Sequence, residues 1–378
     1  MRSSANSKPN TTVSLRLAGV AGESSTALGV ELFSPEDLLA RYNGVLDEPR
    51  LNWIEQHRMV RKLGSGGQGV VYLCERLGAD RFTLPVAVKF FSPQGYPDTA
   101  AYDESMARVA QIAMRVAQIQ QDNLIDVQNF VEVNRIRVLE MEWVDGYDLH
   151  QLLTNEMMER VRGNVSAERQ EYLDDVIFTG GITQPRLKPG VAIALLRDCL
   201  GALSALHREG VVHGDVKPSN IMLKRTGNAK LIDIGSAYEW GRGALARTWT
   251  PAYAAPEVLA GQAGSPVSDL ASLGYVLLEL LSGTPPFAGV NHADDLLDAK
   301  HTVLSRLEEM LPEDVFRNEL LMNLVVGLID PEPTNRFSSA EEADLVDRGA
   351  ASFQRQLVKG NLSSEYVNEI RIWLEEME

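Results

Sequence analysis

The spacing of hydrophobic and polar positions changes near residue 145. Between residues 58 and 145, short β-branched and aromatic runs separated by turn residues predict strands at "HRMVRKL", "VVYLCER", "LPVAVKFF", "NFVEVNR" and "IRVLEMEW". Among them, "ESMARVAQIAMRVAQIQ" repeats apolar residues at three- and four-residue spacing, which predicts an amphipathic helix. Beyond residue 145, "VAIALLRDCLGALSAL" and "LASLGYVLLELLSG" are apolar on all sides and predict buried helices. The pattern therefore predicts an α+β protein in which a small β-rich lobe precedes a larger, mostly helical lobe.

The same pattern suggests how the chain is divided. Residues from about 155 to 190 are polar and end in proline and glycine, which indicates an insertion in the helical lobe. The last segment has the pattern of an acidic amphipathic helix, with Ser363-Ser364-Glu365 as a candidate cap. The predicted divisions are a flexible tail at 1–25, an N-terminal extension at 26–57, the first lobe at 58–145, the second lobe at 146–350 and a C-terminal helical extension at 351–378.

Composition narrows the class of protein without naming a function. The formal net charge of −16 argues against a nucleic-acid-binding protein, whose footprint would be a basic surface. Cys74 and Cys199 are far apart and lack metal-ligand spacing, so we expect a reducing compartment and no disulfide. No run approaches 18 apolar residues and the start has no signal-peptide pattern, so we expect no membrane span and a cytoplasmic location.

A glycine motif is the first candidate for chemistry. Gly64, Gly66 and Gly69 form Gly-x-Gly-x-x-Gly, which is a weak signal by itself. In a dinucleotide-binding fold the last glycine opens a helix; here the strand-like run "VVYLC" follows it. No Lys-Ser/Thr pair follows either, which argues against a Walker loop. The motif is either a hairpin that covers a nucleotide or an ordinary glycine-rich turn.

Polar residues between apolar flanks suggest a reaction centre further along. Lys89 lies within the apolar strand "VAVK", where a lysine needs an anionic partner to be buried. Asp215, Lys217 and Asn220 place a carboxylate, a cation and an amide within six residues of "VVHGDVKPSNIML". Asp233 in "KLIDIGSA" adds a second carboxylate suited to magnesium. This set suits a site where a hydroxyl loses a proton, a phosphate is neutralised and a metal is held.

With "TWTPAYAAPE", "SDLASLG" and "DPEPTNRF" following in order, the sequence resembles the eukaryotic-type (Hanks-type) Ser/Thr protein kinase family over roughly residues 58–350. Seven signatures in the family's order are far more specific than any one of them. The short segment after Asp233 and the alanine-rich composition suggest a bacterial member. The resemblance implies a two-lobed protein kinase fold, ATP and Mg²⁺ as substrate and cofactor, and a protein Ser/Thr hydroxyl as acceptor.

The resemblance assigns a role to each matching position. Asp215 would accept the proton of the substrate hydroxyl, Lys217 would neutralise the transferring phosphoryl group, and Lys89 would hold the α- and β-phosphates. Asn220 and Asp233 would hold Mg²⁺. The implied nucleotide-binding residues are Leu63, Gly64, Gly66, Gly69, Val71, Ala87, Lys89, Glu142 and Val144, with Met141 as gatekeeper.

Other matching positions are implied to support the site. Glu257 would pair with Arg336, and Asp269 would brace the catalytic loop. Thr250 matches the threonine that bridges the catalytic aspartate and lysine, and Lys217 marks Ser/Thr specificity.

Three positions depart from the family pattern. Gly214 replaces the arginine that normally binds an activation-segment phosphate, so phosphorylation at Thr248 is expected to matter little. Ile234 replaces phenylalanine but keeps an apolar side chain. The helix glutamate that should pair with Lys89 is missing: Ile112 stands near its place, and Glu104, about two turns earlier, is the candidate acid.

Three function classes follow from these residues. An active Ser/Thr protein kinase leads, because Lys89, Asp215, Asn220 and Asp233 are all present. A catalytically weak pseudokinase that binds nucleotide is supported by the missing helix glutamate. Small-molecule kinases of the aminoglycoside type also contain "HGD". That class lacks the A-P-E segment and its arginine partner, both of which are present here. Partners could dock on the 155–190 insertion or on the terminal extensions.

Overall fold

A computed structural model describes residues 34–47, 50–51, 57–78, 81–241, 249–290, 292–358 and 366–376. The predicted tail at 1–25, Thr248 and the predicted cap at 363–365 lie outside these residues.

The first lobe is built on one antiparallel sheet in the order β1-β2-β3-β4-β6-β5. Its strands are β1 (Arg50–Leu51), β2 (His57–Gly66), β3 (Gly69–Leu77), β4 (Thr83–Phe91), β5 (Val127–Val133) and β6 (Ile136–Glu142). Every strand predicted from the alternating runs is present, as their content of β-branched and aromatic residues favours; β4 is buried over most of its length, whereas β2 is largely exposed. Helix α1 (Pro35–Asp47) packs against β6 with Leu38 and Val45 buried, so residues before the predicted lobe boundary also join this core.

Helix α2 (Thr99–Val116) is the main helix of this lobe, and its limits differ from the predicted 104–120. The Asp98 side chain accepts a hydrogen bond from the Ala101 amide at 2.8 Å and caps the helix five residues earlier than the periodicity suggested. Tyr102 is fully buried, so this added turn belongs to the apolar face. The helix ends at Val116, before the polar "QIQQDN" segment.

The second lobe is mostly helical and is centred on two buried helices, α6 (Pro189–Arg208) and α8 (Pro266–Ser282), as their apolar sequences predicted. Further helices are α3 (Leu149–Leu152), α4 (Asn155–Asn164), α5 (Ala167–Val176), α7 (Pro256–Leu259), α9 (Ala293–His301), α10 (Leu307–Met310), α11 (Glu313–Phe316), α12 (Glu319–Ile329), α13 (Ala340–Leu345), α14 (Ala350–Val358) and α15 (Tyr366–Glu375). Short strands are β7 (Gly146–Asp148), β8 (Phe178–Thr179), β9 (Arg186–Leu187), β10 (Val211–Val212), β11 (Ile221–Lys224), β12 (Ala229–Leu231) and β13 (Tyr238–Glu239).

Among the described residues, α6 alone has the length and hydropathy of a membrane-crossing helix. Two thirds of its apolar window is buried inside the protein, as in the core helix of a folded domain. Both cysteines are free and buried. Burial, with the nearby Glu140 carboxylate, raises the pKa of Cys74 to about 12, so this thiol stays protonated at neutral pH.

The predicted insertion and the C-terminal helix contact each other. The insertion contributes α4, α5 and the β8–β9 pair, and the Trp373 ring of α15 lies 5.5 Å from the Phe178 ring. Arg169 of α5 forms ion pairs with Glu369 at 3.1 Å and with Glu376 at 2.8 Å. These two segments therefore share one buried contact surface on the helical lobe.

Candidate active site

The glycine motif forms the turn between β2 and β3, with Gly66 opposite Gly69 in the pairing register. Gly69 has φ +141°, and a Cβ on it would lie 1.9 Å from the Phe90 carbonyl oxygen, so the hairpin itself requires this glycine. A Cβ on Gly64 or Gly66 would meet nothing within 4 Å. Packing within the protein therefore does not explain these two glycines, and they border open space above the cleft.

One cleft of about 680 Å³ between the two lobes brings the predicted site residues together. The predicted residues that line it are Leu63, Gly64, Gly66, Gly69, Val71, Ala87, Lys89, Met141, Glu142, Val144, Asp215, Lys217, Asn220 and Asp233. They come from the sheet, the connection between the lobes and the loops around β11 and β12.

The apolar end of the cleft lies under the sheet. Val71 on β3 pairs with Lys89 on β4, and Ala87 pairs with Met141 on β6. The Glu142 carboxylate is committed to Lys230 and to the Asp126 amide, so the backbone of the 142–144 connection is the part suited to bind a nucleobase.

Lys89 lies on the cleft face of β4, two residues after Ala87, as strand alternation requires. Its side chain is nearly buried, and its Nζ atom donates to Asp233 Oδ1 at 2.5 Å and to Gln68 Oε1 at 2.8 Å. Burial alone would raise the pKa of Asp233, but the Lys89 ammonium and the Gly235 amide hold it below its usual value. The carboxylate is therefore ionised at neutral pH, and 36% of its side chain remains exposed to the cleft.

The candidate Glu104 is wrong as the partner of Lys89 in this structure. Its carboxylate forms an ion pair with Arg108 one turn along α2 at 2.8 Å, and its side chain is 70% exposed. Asp103, the other acidic residue of α2, pairs with Arg135 and Arg137. Ile112, which stands near the position of the family's glutamate, is buried. Both acidic residues of α2 therefore form ion pairs with arginines and not with Lys89.

Asp215, in the loop between β10 and β11, is held by hydrogen bonds from Thr250 and by an ion pair with Lys217. Oδ1 of Asp215 accepts from the Thr250 amide at 3.0 Å and from the Thr250 hydroxyl at 2.8 Å. Lys217 Nζ lies 2.7 Å from Oδ2 of Asp215 and 2.8 Å from the Thr250 hydroxyl, so the predicted bridge is present. The Asn220 amide nitrogen donates to the Asp215 carbonyl at 2.8 Å, which leaves its amide oxygen as the atom that can bind a cation.

Comparison with known proteins agrees with this geometry. The family model described as "Protein kinase domain" matches residues 57–345, about three quarters of the chain. The chain belongs to the protein kinase family. The predicted family and the predicted two-lobed α+β kinase fold are thereby confirmed.

Three similar proteins are named serine/threonine-protein kinases, and all three come from bacteria. PknD of Mycobacterium tuberculosis is 32% identical over 235 residues, which is 61% of this chain and 30% of that protein. PrkC of Bacillus subtilis is 25% identical over 299 residues, 77% of this chain and 40% of that protein. PknL of Mycobacterium bovis is 30% identical over 232 residues, 60% of this chain and 49% of that protein. The kinase chain thus spans less than half the length of these relatives.

Contacts from α8 support the loop that carries Asp215. Asp269 of α8 is buried, and its carboxylate accepts from the His213 and Gly214 amides at 2.8 and 2.9 Å, as predicted. Gly214 has φ +77°, and a Cβ there would lie 2.9 Å from both the Ser236 carbonyl oxygen and the Tyr238 ring. The Tyr238 ring therefore occupies the space beside Gly214 that a larger residue would need.

The residues after Thr250 are anchored by contacts that the motifs did not reveal. Lys300 of α9 is fully buried and donates to the Ala252 carbonyl at 2.7 Å, with its Nζ 3.9 Å from the Tyr275 ring centre. Tyr253 donates to the buried Glu279 carboxylate. Nothing in the local sequence "DDLLDAKH" indicated a buried lysine.

Gln68, Ser236 and Trp249 were also missed by sequence reasoning. Gln68 and Trp249 line the cleft, and Gln68 donates to the Ser236 hydroxyl at 2.8 Å. Gln68 lies within the glycine motif, Ser236 lies within "KLIDIGSA" and Trp249 lies within "TWTPAYAAPE". Membership of these motifs was the only signal available for the three residues.

Proposed function

We propose that this protein is a Ser/Thr protein kinase that transfers the γ-phosphoryl group of ATP to a protein hydroxyl. The observation that carries the proposal is the triangle formed by Asp215, Lys217 and Thr250 at one end of the cleft, with Asp233 and Lys89 beside it. A carboxylate held by two donors of Thr250 has a fixed direction, as a group that orients a substrate hydroxyl must have.

The triangle supports a defined sequence of steps. Asp215 accepts a hydrogen bond from the incoming Ser or Thr hydroxyl and takes its proton as the oxygen bonds to phosphorus. Lys217 offsets the negative charge of the transferring group, since its ammonium already lies within hydrogen-bond distance of Asp215 and Thr250. The bond between the γ-phosphorus and the oxygen that bridges it to the β-phosphate breaks, so ADP is the leaving group, with its base at the apolar end of the cleft.

The residues present fit a magnesium ion. The partly exposed, ionised Asp233 carboxylate and the Asn220 amide oxygen are hard oxygen ligands, and Mg²⁺ is usually bound through one or two carboxylates together with substrate phosphates. When bound, Mg²⁺ supplies positive charge to the phosphate oxygens. The described residues hold no cluster of three or more His, Cys, Asp and Glu side chains that could bind a metal alone, so phosphate oxygens would complete the site.

The pseudokinase alternative is favoured by one observation, which is that neither acid of α2 reaches Lys89. Against it, Lys89 keeps an ionised partner in Asp233, and Asp215 keeps its full set of contacts. We therefore propose activity rather than nucleotide binding alone. We also propose a cytoplasmic location, which cell fractionation tests. We propose further that the protein substrate docks on the 155–190 insertion or on the terminal segments, which deletion of α4 and α5 tests.

Incubation with γ-labelled ATP, Mg²⁺ and a general Ser/Thr protein substrate tests the function. We expect label on serine or threonine, mapped by mass spectrometry, and at least a roughly hundredfold lower rate for Asp215→Ala, in line with the contribution of a positioned general base. Nucleotide binding with no transfer by the wild type would select the pseudokinase. Label found only on a small-molecule hydroxyl would select the third class.

A comparison of Lys89→Met with Glu104→Gln tests the assignment of the lysine's partner. We expect Lys89→Met to lower kcat/KM for ATP by roughly a hundredfold or more, because charge and alignment at the phosphates are lost. Glu104→Gln should stay within about twofold, because it removes only an exposed i,i+4 ion pair. Equal losses in the two variants would mean that a displaced α2 brings Glu104 to Lys89 during turnover.

A further inference from the structure

Gln68 at the tip of the glycine loop links three parts of the site. Its amide oxygen accepts from Lys89 Nζ at 2.8 Å, and its amide nitrogen donates to the Ser236 hydroxyl at 2.8 Å. Its carbonyl oxygen accepts from the Ser92 amide at 2.9 Å, which ties the loop tip to the end of β4. The side chain therefore joins the glycine loop, the phosphate-facing lysine and the segment that follows Asp233.

The fold leaves room for this contact at one specific position. A Cβ on Gly235 would lie 2.2 Å from the Gln68 amide oxygen and 2.6 Å from Lys89 Nζ. Any residue other than glycine at 235 would therefore displace the bridge. Asp233 also has a left-handed backbone, with φ +61°, which turns the chain so that Ser236 faces the loop.

We propose that Gln68 is the positioning residue for Lys89 and takes the place of the missing helix carboxylate; this inference rests on the proposed kinase function. Within the described residues, Asp233 and Gln68 use two of the three hydrogens on the Lys89 ammonium, which leaves one for a phosphate oxygen. Because the Gln68 amide is neutral, it orients the ammonium without cancelling the charge that a phosphate needs.

The position of Gln68 also explains how the site could work with Ile112 on α2. A carboxylate on the helix would fix Lys89 from the side of the helix, whereas Gln68 fixes it from the loop that covers the phosphates. Alignment of Lys89 then depends on the glycine loop being closed over the cleft. Gln68 should therefore affect the rate of the chemical step more than the affinity for ATP.

Steady-state kinetics of the full chain test this role with Gln68→Ala, Ser236→Ala and the double variant. We expect Gln68→Ala to lower kcat roughly tenfold while KM for ATP changes by less than about threefold, since alignment is lost but the lysine charge remains. Ser236→Ala should show a smaller fall in kcat. The double variant should be no slower than Gln68→Ala, because both changes break one bridge.

The matched control is Gln118→Ala, because Gln118 is an exposed glutamine just after α2, and this change should leave kcat and KM unchanged. Gln68→Glu adds a second readout, because a carboxylate keeps the contact to Lys89 and should restore much of kcat while weakening ATP binding by charge repulsion. Unchanged kcat in Gln68→Ala would overturn the proposal. A rise in kcat/KM would also overturn it, because Gln68 would then be a plug in the phosphate site.

The same assays separate this proposal from the proposed function. If the wild type transfers phosphate well above Asp215→Ala and Gln68→Ala matches the wild type, only the role of Gln68 fails. If the wild type itself remains at the Asp215→Ala rate, the kinase function fails and the positioning role fails with it.

Discussion

Asparagine in place of Asp233 is expected to lower phosphoryl transfer by at least about a thousandfold, roughly 4 kcal/mol of transition-state stabilisation. The substitution removes the charge that would bind Mg²⁺. It keeps an oxygen that can accept a hydrogen bond from Lys89 Nζ, which lies 2.5 Å from Asp233 Oδ1 in the wild type. The buried lysine therefore retains an acceptor, and Gln68 supplies a second one. For this reason we expect the variant to fold and to bind nucleotide weakly.

The measurement is the initial rate of labelled phosphate transfer over a range of Mg²⁺ concentrations, with nucleotide binding followed in parallel. Asp294→Asn on α9 is the matched control, because Asp294 is exposed and does not line the cleft. Full activity of the Asp233→Asn variant at low Mg²⁺ would remove Asp233 from the metal site. A rate that recovers fully at high Mg²⁺ would mean that other ligands suffice for the metal.

The sequence predicted the parts of this site in which one short motif fixes both residue type and direction. Strand alternation orients Ala87 and Lys89 to one face, and the hairpin follows from three glycines with a strand behind them. Asp215, Lys217 and Asn220 converge because a single tight loop carries all three. These inferences needed only local geometry and the family order of motifs.

Other contacts join segments that are far apart in the sequence. The side-chain directions that form these contacts are determined only when the segments pack together, so local patterns do not predict them. Gln68 reaches Lys89 and Ser236 across sequence separations of 21 and 168 residues. The contact of Trp373 with Phe178 joins the C-terminal helix to the insertion, and neither sequence carries a signal for the other. The predicted pairing of Glu104 with Lys89 was wrong. Helical periodicity shows which face of the helix carries Glu104, but it does not show that a cation on the same helix, Arg108, binds its carboxylate.

Removal of the Arg336 side chain is expected to destabilise the protein by about 3–5 kcal/mol, the usual cost of leaving one member of a buried ion pair without its partner. Arg336 donates through two nitrogens to the two oxygens of Glu257, both at 2.8 Å, and its side chain is fully buried. Ser268 also donates to Glu257 at 2.6 Å. The pair ties the start of α7 to the loop after α12, so its loss affects folding before chemistry.

Chemical denaturation of Arg336→Ala, with Arg317→Ala as an exposed control, tests this expected loss of stability. Arg317 also pairs with a glutamate, Glu313, but both side chains are more than 70% exposed, so its removal should cost less than about 1 kcal/mol. Similar losses in the two variants would contradict the importance of burial.

The stability difference between wild type and Arg336→Ala should also depend on pH. Burial alone would raise the pKa of Glu257, but Arg336 and Ser268 hold it below its usual value in the folded wild type. Its contribution to the free energy of unfolding is therefore complete above the unfolded pKa and is lost as pH falls through the lowered folded pKa. In Arg336→Ala the Ser268 hydrogen bond remains but the charge of Arg336 is lost, so we expect burial to raise the folded pKa of Glu257 above its value in the wild type, and protonation of Glu257 then relieves the variant as pH falls. The gap between the two proteins should consequently be widest near neutral pH and should narrow towards pH values below the usual glutamate range. A gap that stays constant from neutral to acidic pH would show that Glu257 is not the group left unpaired.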